Sequence, residues 1–271
     1  MENKIGLIEN LLVGSDQEYF LQDKETNEIV SAEGLIKGTK DEPFKFKGED
    51  SFFATSLDNV LYEGNIPPAK TAEEFVEYFN ILRSYMESTI PDTLKTLAKG
   101  SARLDFKYLQ SDHAKTFGCA ISHNAWTEEA EFIQPKKRSN LRAAGLHLHA
   151  GYTNPDYEIN INFIRAMDLF AGIPAVIMEP YDERKKVGYG KAGNHRHCAY
   201  GVEYRSLSSY FASSSELLTW AFNTAHSAAK FINDNRIEEI NARGEEIQAT
   251  INKNNKKNAE RLVKEFDLSL I

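Results

Sequence analysis

Apolar residues recur along this chain with two periods, and the switch between them separates strands from helices. "NLLVGSDQEYFLQD" (10–23), "AAGLHLHAGY" (143–152) and "YGVEYRSLSSYF" (200–211) read as strands. Gly14 in the first of these permits an unusual backbone. "TAEEFVEYFNILRSYMES" (71–88) has helical spacing, with Phe75, Val76, Phe79, Leu82 and Met86 on one face. Thr71 followed three residues later by Glu74 forms a capping box at its start. "INFIRAMDLFAG" (161–172) predicts a second helix, stopped by Gly172 and Pro174. "SSELLTWAFNTAHSAAKFIN" (214–233) predicts a third, capped by Ser214 or Ser215.

The tail from about Arg236 to Phe266 is charged and helix-prone. Its few apolar residues (Ile237, Ile240, Ile247, Ile251, Leu262) predict a partly solvated helical pair on the outside. There is no internal repeat and no low-complexity linker. Strands and helices are interspersed without a βαβ rhythm, which favours an α+β fold with a mainly antiparallel sheet over a Rossmann sheet. The 271 residues suit one domain, with 214–271 as its helical C-terminal extension.

Composition narrows the function classes. Hydrophobic residues make up 41% and charged residues 27%, an ordinary globular balance. The formal net charge of -8 disfavours stable binding to a nucleic-acid polymer. Cys119 and Cys198 form no CxxC, so a reducing, cytoplasmic setting is the simplest expectation. The N-terminal stretch lacks a signal-peptide pattern, and no run approaches the roughly 20 apolar residues of a membrane span.

Four stretches carry chemistry. In "GSDQEYF", Asp16 and Glu18 are two apart, so a strand projects both carboxylates from one face, where they repel unless a cation neutralises them. Taken alone, such pairs are common on solvent-facing strands. In "DNVLYEGNIPPAK", Glu63 and Asn65 share a face, Asp58 lies upstream, and Pro67-Pro68 are expected to end the strand. In "AGLHLHAGY", His147 and His149 share a face. H-x-H can be a zinc pair, or can supply one metal ligand and one supporting or substrate contact. In the last strand Glu203 and Arg205 share a face, preceded by "GYGKAGNHRH" (188–197). Its glycines with Lys191 and Arg196 suit phosphate, although a flexible basic loop has the same composition. Carboxylates with one imidazole fit Mg2+ or Mn2+ held together with nucleotide phosphates. The acidic bias argues against a zinc hydrolase.

"GSDQEYFL", "DNVLYEGNIPPA", "RAAGLHLHAGY" and "YGKAGNHRHCAYGVEYRSLSSYF", in that order, resemble the phage-type carboxylate–amine ligases, or type 2 amidoligases, of the glutamine synthetase and γ-glutamylcysteine synthetase superfamily. The similarity runs from about Gly14 to about Phe211, and the tail carries no recognised motif. It implies a curved antiparallel sheet that cradles ATP and divalent cations, with helices on its convex side. The implied reaction phosphorylates a carboxylate with ATP, and an amine then displaces phosphate to give an amide. Carried over by position, Asp16 and Glu18 match the first metal-binding acidic pair and Glu63 the second acidic position. A histidine of the GLHLH block, His147 or His149, matches the imidazole ligand. Glu203 matches the acidic ligand of the last strand, and Arg205 the arginine that meets the transferred phosphoryl group. Lys191 and Arg196 would hold nucleotide phosphates. The resemblance also implies a phage-encoded chain working in the host cytoplasm. One departure stands out: the first pair is D-x-E where better-known relatives have E-x-E.

Two other readings compete. A metal-dependent hydrolase using His147 and His149 would turn over without ATP. A catalytically silent relative would bind nucleotide without turnover, but retention of every charged motif position argues against it. The carboxylate and amine are not named by the sequence. Loops such as 23–57 and 100–140 are expected to build the acceptor pocket, and the acidic surface slightly favours a cationic amine.

Overall fold

The computed structural model describes residues 7–115, 122–131 and 139–271. Cys119 and part of the 100–140 segment lie outside the described residues. The chain enters through β1 (Leu12–Asp23), the short β2 (Ile29–Val30) and β3 (Phe44–Lys45), then β4 (Ala54–Asp58) and β5 (Leu61–Ala69). Helix α1 (Ala72–Thr89) leads to β6 (Leu94–Leu97), β7 (Ser101–Arg103) and a short α2 (Asp112–Lys115). Next come β8 (Ser122–Asn124), β9 (Ala130–Glu131), β10 (Leu141–Ala143) and β11 (Leu146–Gly151). A continuous helical run follows, made of α3 (Tyr157–Met167), a π-helical turn (Asp168–Gly172) and α4 (Ile173–Met178). Strands β12 (Asn194–Cys198) and β13 (Gly201–Tyr204) complete the sheet. Helices α5 (Ser215–Asn233), α6 (Ile237–Asn241), α7 (Gly244–Asn252) and α8 (Lys256–Glu265) close the chain.

The architecture is α+β. Among the described residues, the large sheet runs β3-β4-β5-β1-β11-β13-β12-β8-β9, with β2 and β6 paired to the far end of β1. Its strand pairs are antiparallel. Alternation then gives the sheet two unlike faces. One carries Val13, Tyr19, Tyr62, Leu146, Leu148, Val202 and Tyr204, all buried in a core shared with α1, α3 and α5. Gly64 belongs to this face, where a Cβ would sit 2.6 Å from Leu82 of α1. The other face carries the charged residues. At one end it is closed by a small apolar cluster that includes Phe20, Leu61, Leu104 and Leu109.

Local signals explain the helix ends. The Thr71 side chain accepts from the Glu74 N–H at 3.2 Å, and Glu74 reaches back to the Lys70 N–H at 2.8 Å. Ser214 caps α5 through the Leu217 N–H.

Several expectations need correction. The helix over 161–172 does not stop at Gly172 and Pro174. Pro174 falls in the first turn of α4, where a missing N–H costs little, and the π-helical turn absorbs the change of register. Gly172 serves packing instead: a Cβ there would lie 2.7 Å from Ile251 and 3.0 Å from the Tyr204 hydroxyl. The resulting run Tyr157–Met178, with mean hydropathy 1.5, is long and apolar enough to cross a membrane, contrary to the sequence reading. In the fold most of it is buried among other elements. Pro67-Pro68 do not end β5, because past Asn65 that strand pairs only with β1, beside a bulge between Val13 and Ser15. The strand over 200–211 ends at Tyr204 and gives way to a 3-10 turn (Ser209–Ala212). The tail is not a partly solvated pair: it forms three helices, and Ile237, Ile240, Ile247, Ile251 and Leu262 are all buried.

Beneath the sheet, Asp168 accepts from Trp126 Nε1 at 2.7 Å and from the Tyr204 hydroxyl at 2.9 Å. Burial nonetheless pushes its carboxyl up to about 7. Because the folded group holds its proton more tightly than the unfolded one, folding takes up a proton between pH about 4 and 7. Its contribution is therefore most favourable below the ordinary value of 3.8, declines as pH rises through that window, and is level above about 7. Asp168→Asn should remove this component. In thermal melts from pH 4 to 8, wild type should lose stability relative to the variant as pH rises; parallel profiles would contradict the assignment.

Candidate active site

The registers of five strands line up the charged residues. Asp16 of β1 lies opposite Asn65 of β5 and His147 of β11, and Glu18 lies opposite Glu63. His149 is opposite Gly14 on one side and Glu203 on the other, and Glu203 is opposite Arg196. Paired residues in antiparallel strands project from the same face. Gly14 sits in this row without strain: a Cβ there would be in ordinary contact, 3.7 Å from that of His149.

Among the described residues, two clusters of potential metal ligands result. The first is Asp16, His147 and Glu203. His147 Nδ1 is 2.7 Å from Asp16 Oδ1 and 3.5 Å from Glu203 Oε1, and His149 Nε2 is 3.4 Å from the same Asp16 oxygen. These approaches are close but are not aligned as hydrogen bonds. Asp16 Oδ1, His147 Nδ1 and His149 Nε2 are left buried without a hydrogen-bond partner. Unsatisfied buried polar atoms are costly, and several converging on one point describe a place for a cation. Burial opposes the charge on Asp16, but His147 and His149 more than offset it and hold its carboxyl well below the usual range. Burial and Arg205 hold His147 below its ordinary value, which leaves a neutral imidazole. Against burial, Asp16 raises His149 to about 10.

The second cluster is Glu18, Asp58 and Glu63. Glu18 accepts the Gly145 N–H at 2.6 Å. Lys40 Nζ reaches in, 2.6 Å from Asp58 and 3.7 Å from Glu63. Burial, with Asp58 and Glu63 alongside, raises Glu18 well above the usual range. Burial, with Asp16 and Asp58, raises Glu63 to about 8.

Arg205 lies one residue past β13, and its guanidinium bonds the Glu203 carboxylate on the charged face. Arg196 Nη1 is 3.3 Å from the other oxygen of Glu203. Arg205 Nε is buried and unpartnered, a donor still available. Lys191 is not in either cluster. Its backbone is tied to Ser206 and Asn194 at the turn before β12. The glycines of that turn answer to packing: Gly190 (φ 68) leaves room for the Arg184 guanidinium, and Gly193 (φ 77) for Asn124 and Trp126. Of the basic residues and histidines in 188–197, Arg196 is the one whose register puts it on the charged face; His195 and His197 pair with Tyr204 and Val202 on the other.

A cleft of about 710 Å³ opens beside His149, with Gly14, Phe52, Ile66, Tyr152 and Tyr200 among its walls. A smaller cavity of about 50 Å³ lies beside the second cluster, lined by Glu18, Lys40, Asp58, Tyr189 and Arg205 among others. Sequence reasoning missed Lys40, Tyr189 and Tyr200. The Tyr189 hydroxyl is 2.7 Å from His147 Nε2 and 3.4 Å from Glu18, and the Tyr200 hydroxyl bonds His149 Nδ1. In the fold all three lie on loops, although Tyr200 reads from the sequence as the first residue of a strand and Tyr189 falls in the glycine-rich stretch.

Residues 129–270, just over half of the chain, match the family described as phage phiEco32-like COOH.NH2 ligase-type 2. The match takes in the helical tail but not the blocks around Asp16 and Glu63. No curated protein matches the chain. Among solved structures, the crystal structure of a bifunctional glutathione synthetase from Pasteurella multocida aligns at 10% identity with a TM-score of 0.47, covering 95% of this chain and 49% of that one. The chain thus spans about half the length of that protein.

The two clusters should respond oppositely to loss of a carboxylate. Glu203→Gln leaves the buried Arg205 without its charge partner, which is expected to cost about 3–5 kcal/mol. Glu18→Gln removes one of three crowded carboxylates and is expected to be neutral or stabilising. Thermal melts in EDTA check the pair; equal losses would mean that the clusters are not electrostatically distinct.

Proposed function

Because the chain belongs to the phage phiEco32-like COOH.NH2 ligase-type 2 family, we propose that it joins a carboxylate to an amine in an ATP-dependent reaction through an acyl phosphate. A substrate carboxylate oxygen attacks the γ-phosphorus of ATP, and ADP leaves. The amine nitrogen then attacks the acyl carbon, inorganic phosphate leaves, and the amine's surplus proton passes to solvent or buffer. The observation that carries this reading is the convergence of Asp16 Oδ1, His147 Nδ1 and His149 Nε2, buried and unpartnered, beside a Glu203 carboxylate already bonded to Arg205.

Asp16, His147 and Glu203 would hold Mg2+ or Mn2+, since two carboxylates and one neutral imidazole match the donor preference of these hard cations. When bound, such a cation supplies charge neutralisation for phosphoryl oxygens. His149 orients Asp16, and Tyr200 in turn holds His149. Arg205, fixed by Glu203, presents a planar fork of donors to the phosphoryl group in transfer. Arg196 and Lys191 are assigned to ground-state phosphates, Lys191 by a change of its side-chain direction. The cleft beside His149 would take the uncharged parts of nucleotide or substrate. Membership of the glutamine synthetase superfamily, a phage origin and work in a host cytoplasm complete the reading.

Incubating the protein with ATP, Mg2+ and a panel of carboxylates and amines should give ADP, phosphate and a product lighter than the two reactants by one water, as read by mass spectrometry. Amide hydrolysis without ATP would replace this reading with the hydrolase. Within the ligase, Arg205→Lys keeps the charge but loses the fork. It should lower kcat on the order of 10²-fold while changing the ATP Kd little, because the interaction strengthens in the transition state. Arg196→Ala should raise the ATP KM first. An Arg205→Lys variant with intact kcat and weakened ATP binding would reverse the two roles.

A further inference from the structure

Lys40 reaches the second acidic cluster from a loop, and the loop is built to bring it there. The segment between β2 and β4 passes alongside β4, with Thr39 in a parallel bridge to Leu57 and the Leu57 N–H donating to the Gly38 carbonyl at 3.1 Å. Thr39 closes a turn on Glu42. Gly38 adopts a left-handed φ of 89 and passes so close to Thr55 and Phe44 that a side chain would not fit. This anchored turn holds the start of the lysine stem, which is 45% exposed, while its ammonium sits among the carboxylates of Asp58 and Glu63.

The ligand atoms of Glu18, Asp58 and Glu63 lie within 4.8 Å of one another, the spacing a metal ion would need. The first cluster is different. It is flanked by Arg205 and Arg196, and it leaves polar atoms of Asp16, His147 and His149 unpartnered, whereas Glu18 and Asp58 of the second are engaged by Gly145 and Lys40. The cavity of about 50 Å³ beside Lys40 leaves room for a small ion and water once the ammonium is gone.

We propose that Lys40 is a tethered cation that occupies the second acidic cluster in place of a divalent ion. The chain then binds one divalent cation tightly, at Asp16, His147 and Glu203, and keeps Glu18, Asp58 and Glu63 for its own ammonium. This rests on the ligase reading for the identity of the first site. It makes Lys40 a positioning residue: its charge fixes the geometry of Glu18 and Glu63 without contact with the reacting atoms. It also gives the site a fixed positive charge that metal depletion does not remove.

The test is a Mn2+ titration of the full chain, with free Mn2+ read by electron paramagnetic resonance. Wild type should bind one Mn2+ tightly. Lys40→Met, which keeps the stem and removes the charge, should bind two, with the second at least tenfold tighter than any second site in wild type. Lys40→Arg should restore the single tight site. Because the Lys40 side chain is nearly half exposed, the variants are expected to fold, and circular dichroism confirms it. Two tight sites in wild type, or identical isotherms for wild type and Lys40→Met, would overturn the proposal. Asp16→Asn separates the two readings. If it binds Mn2+ as wild type does, the ligase site assignment fails, while the comparison between wild type and Lys40→Met still decides the role of Lys40.

Discussion

The chemistry of this molecule hangs on one strand register. β1 is paired on both sides, and the pairing that sets Asp16 against His147 also sets Glu18 against Glu63. A slip of one residue would turn Asp16 and Glu18 into the core and bring Val13, Ser15, Gln17 and Tyr19 onto the charged face. The register is enforced from the side that does no chemistry. Val13 and Tyr19 are buried under the helices, Ser15 Oγ donates to the His147 carbonyl at 2.7 Å, and Gln17 donates to the Ser209 hydroxyl at 2.6 Å. Close approach of α1 at Gly64 leaves no alternative seat for β5. Apolar packing on one face thus fixes ångström-scale geometry on the other.

That geometry brings like charges together, and the fold relieves the repulsion in two ways. Around Glu203, two arginines and His149 supply positive charge, and the carboxylate is almost fully buried. Around Glu18, three carboxylates face a single ammonium from a loop. Tyr189 joins the two environments as a neutral group, hydrogen-bonded to His147 and near Glu18. Such an arrangement is poor for stability, since desolvated charges rarely recover their hydration energy. It suits a site whose work is to stabilise transferring negative charge, where donors fixed in advance need no reorganisation during reaction.

What was legible in the sequence was what is local. Period-two pairs such as Asp16/Glu18, His147/His149 and Glu203/Arg205 could be put on common faces because alternation is a property of one strand. Which strands become neighbours is a long-range matter, and the sequence offered it only through the order of motifs. Loop residues are harder: nothing local marks Lys40, and Tyr189 and Tyr200 sit in motif-bearing stretches without any signal that their hydroxyls turn to the histidines. Breaker rules misled where tertiary contacts override them. Gly172 and Pro174 looked like a stop but are a packing glycine and a first-turn proline inside a continuous helical run. The glycines at 190 and 193 also make room for Arg184 and for Asn124 and Trp126, neighbours that no local pattern announces. The isoleucines of the tail were visible, but not the neighbours that bury them.

The division between the charged row and the adjoining cleft has its own logic. Apart from His149, the cleft walls carry no ionisable group except tyrosine, and Leu12, Phe52, Ile66 and Pro68 make much of the lining. Such a surface discriminates by shape and by a few hydrogen bonds from Asn10, Asn65 and Thr153, and it does so modestly unless those groups are paired. Phe52 comes from the same segment between β2 and β4 that delivers Lys40 to the second cluster. Phe52 on the cleft wall and the Lys40 ammonium among the carboxylates are therefore carried by one segment, which is bridged to β4 at Thr39.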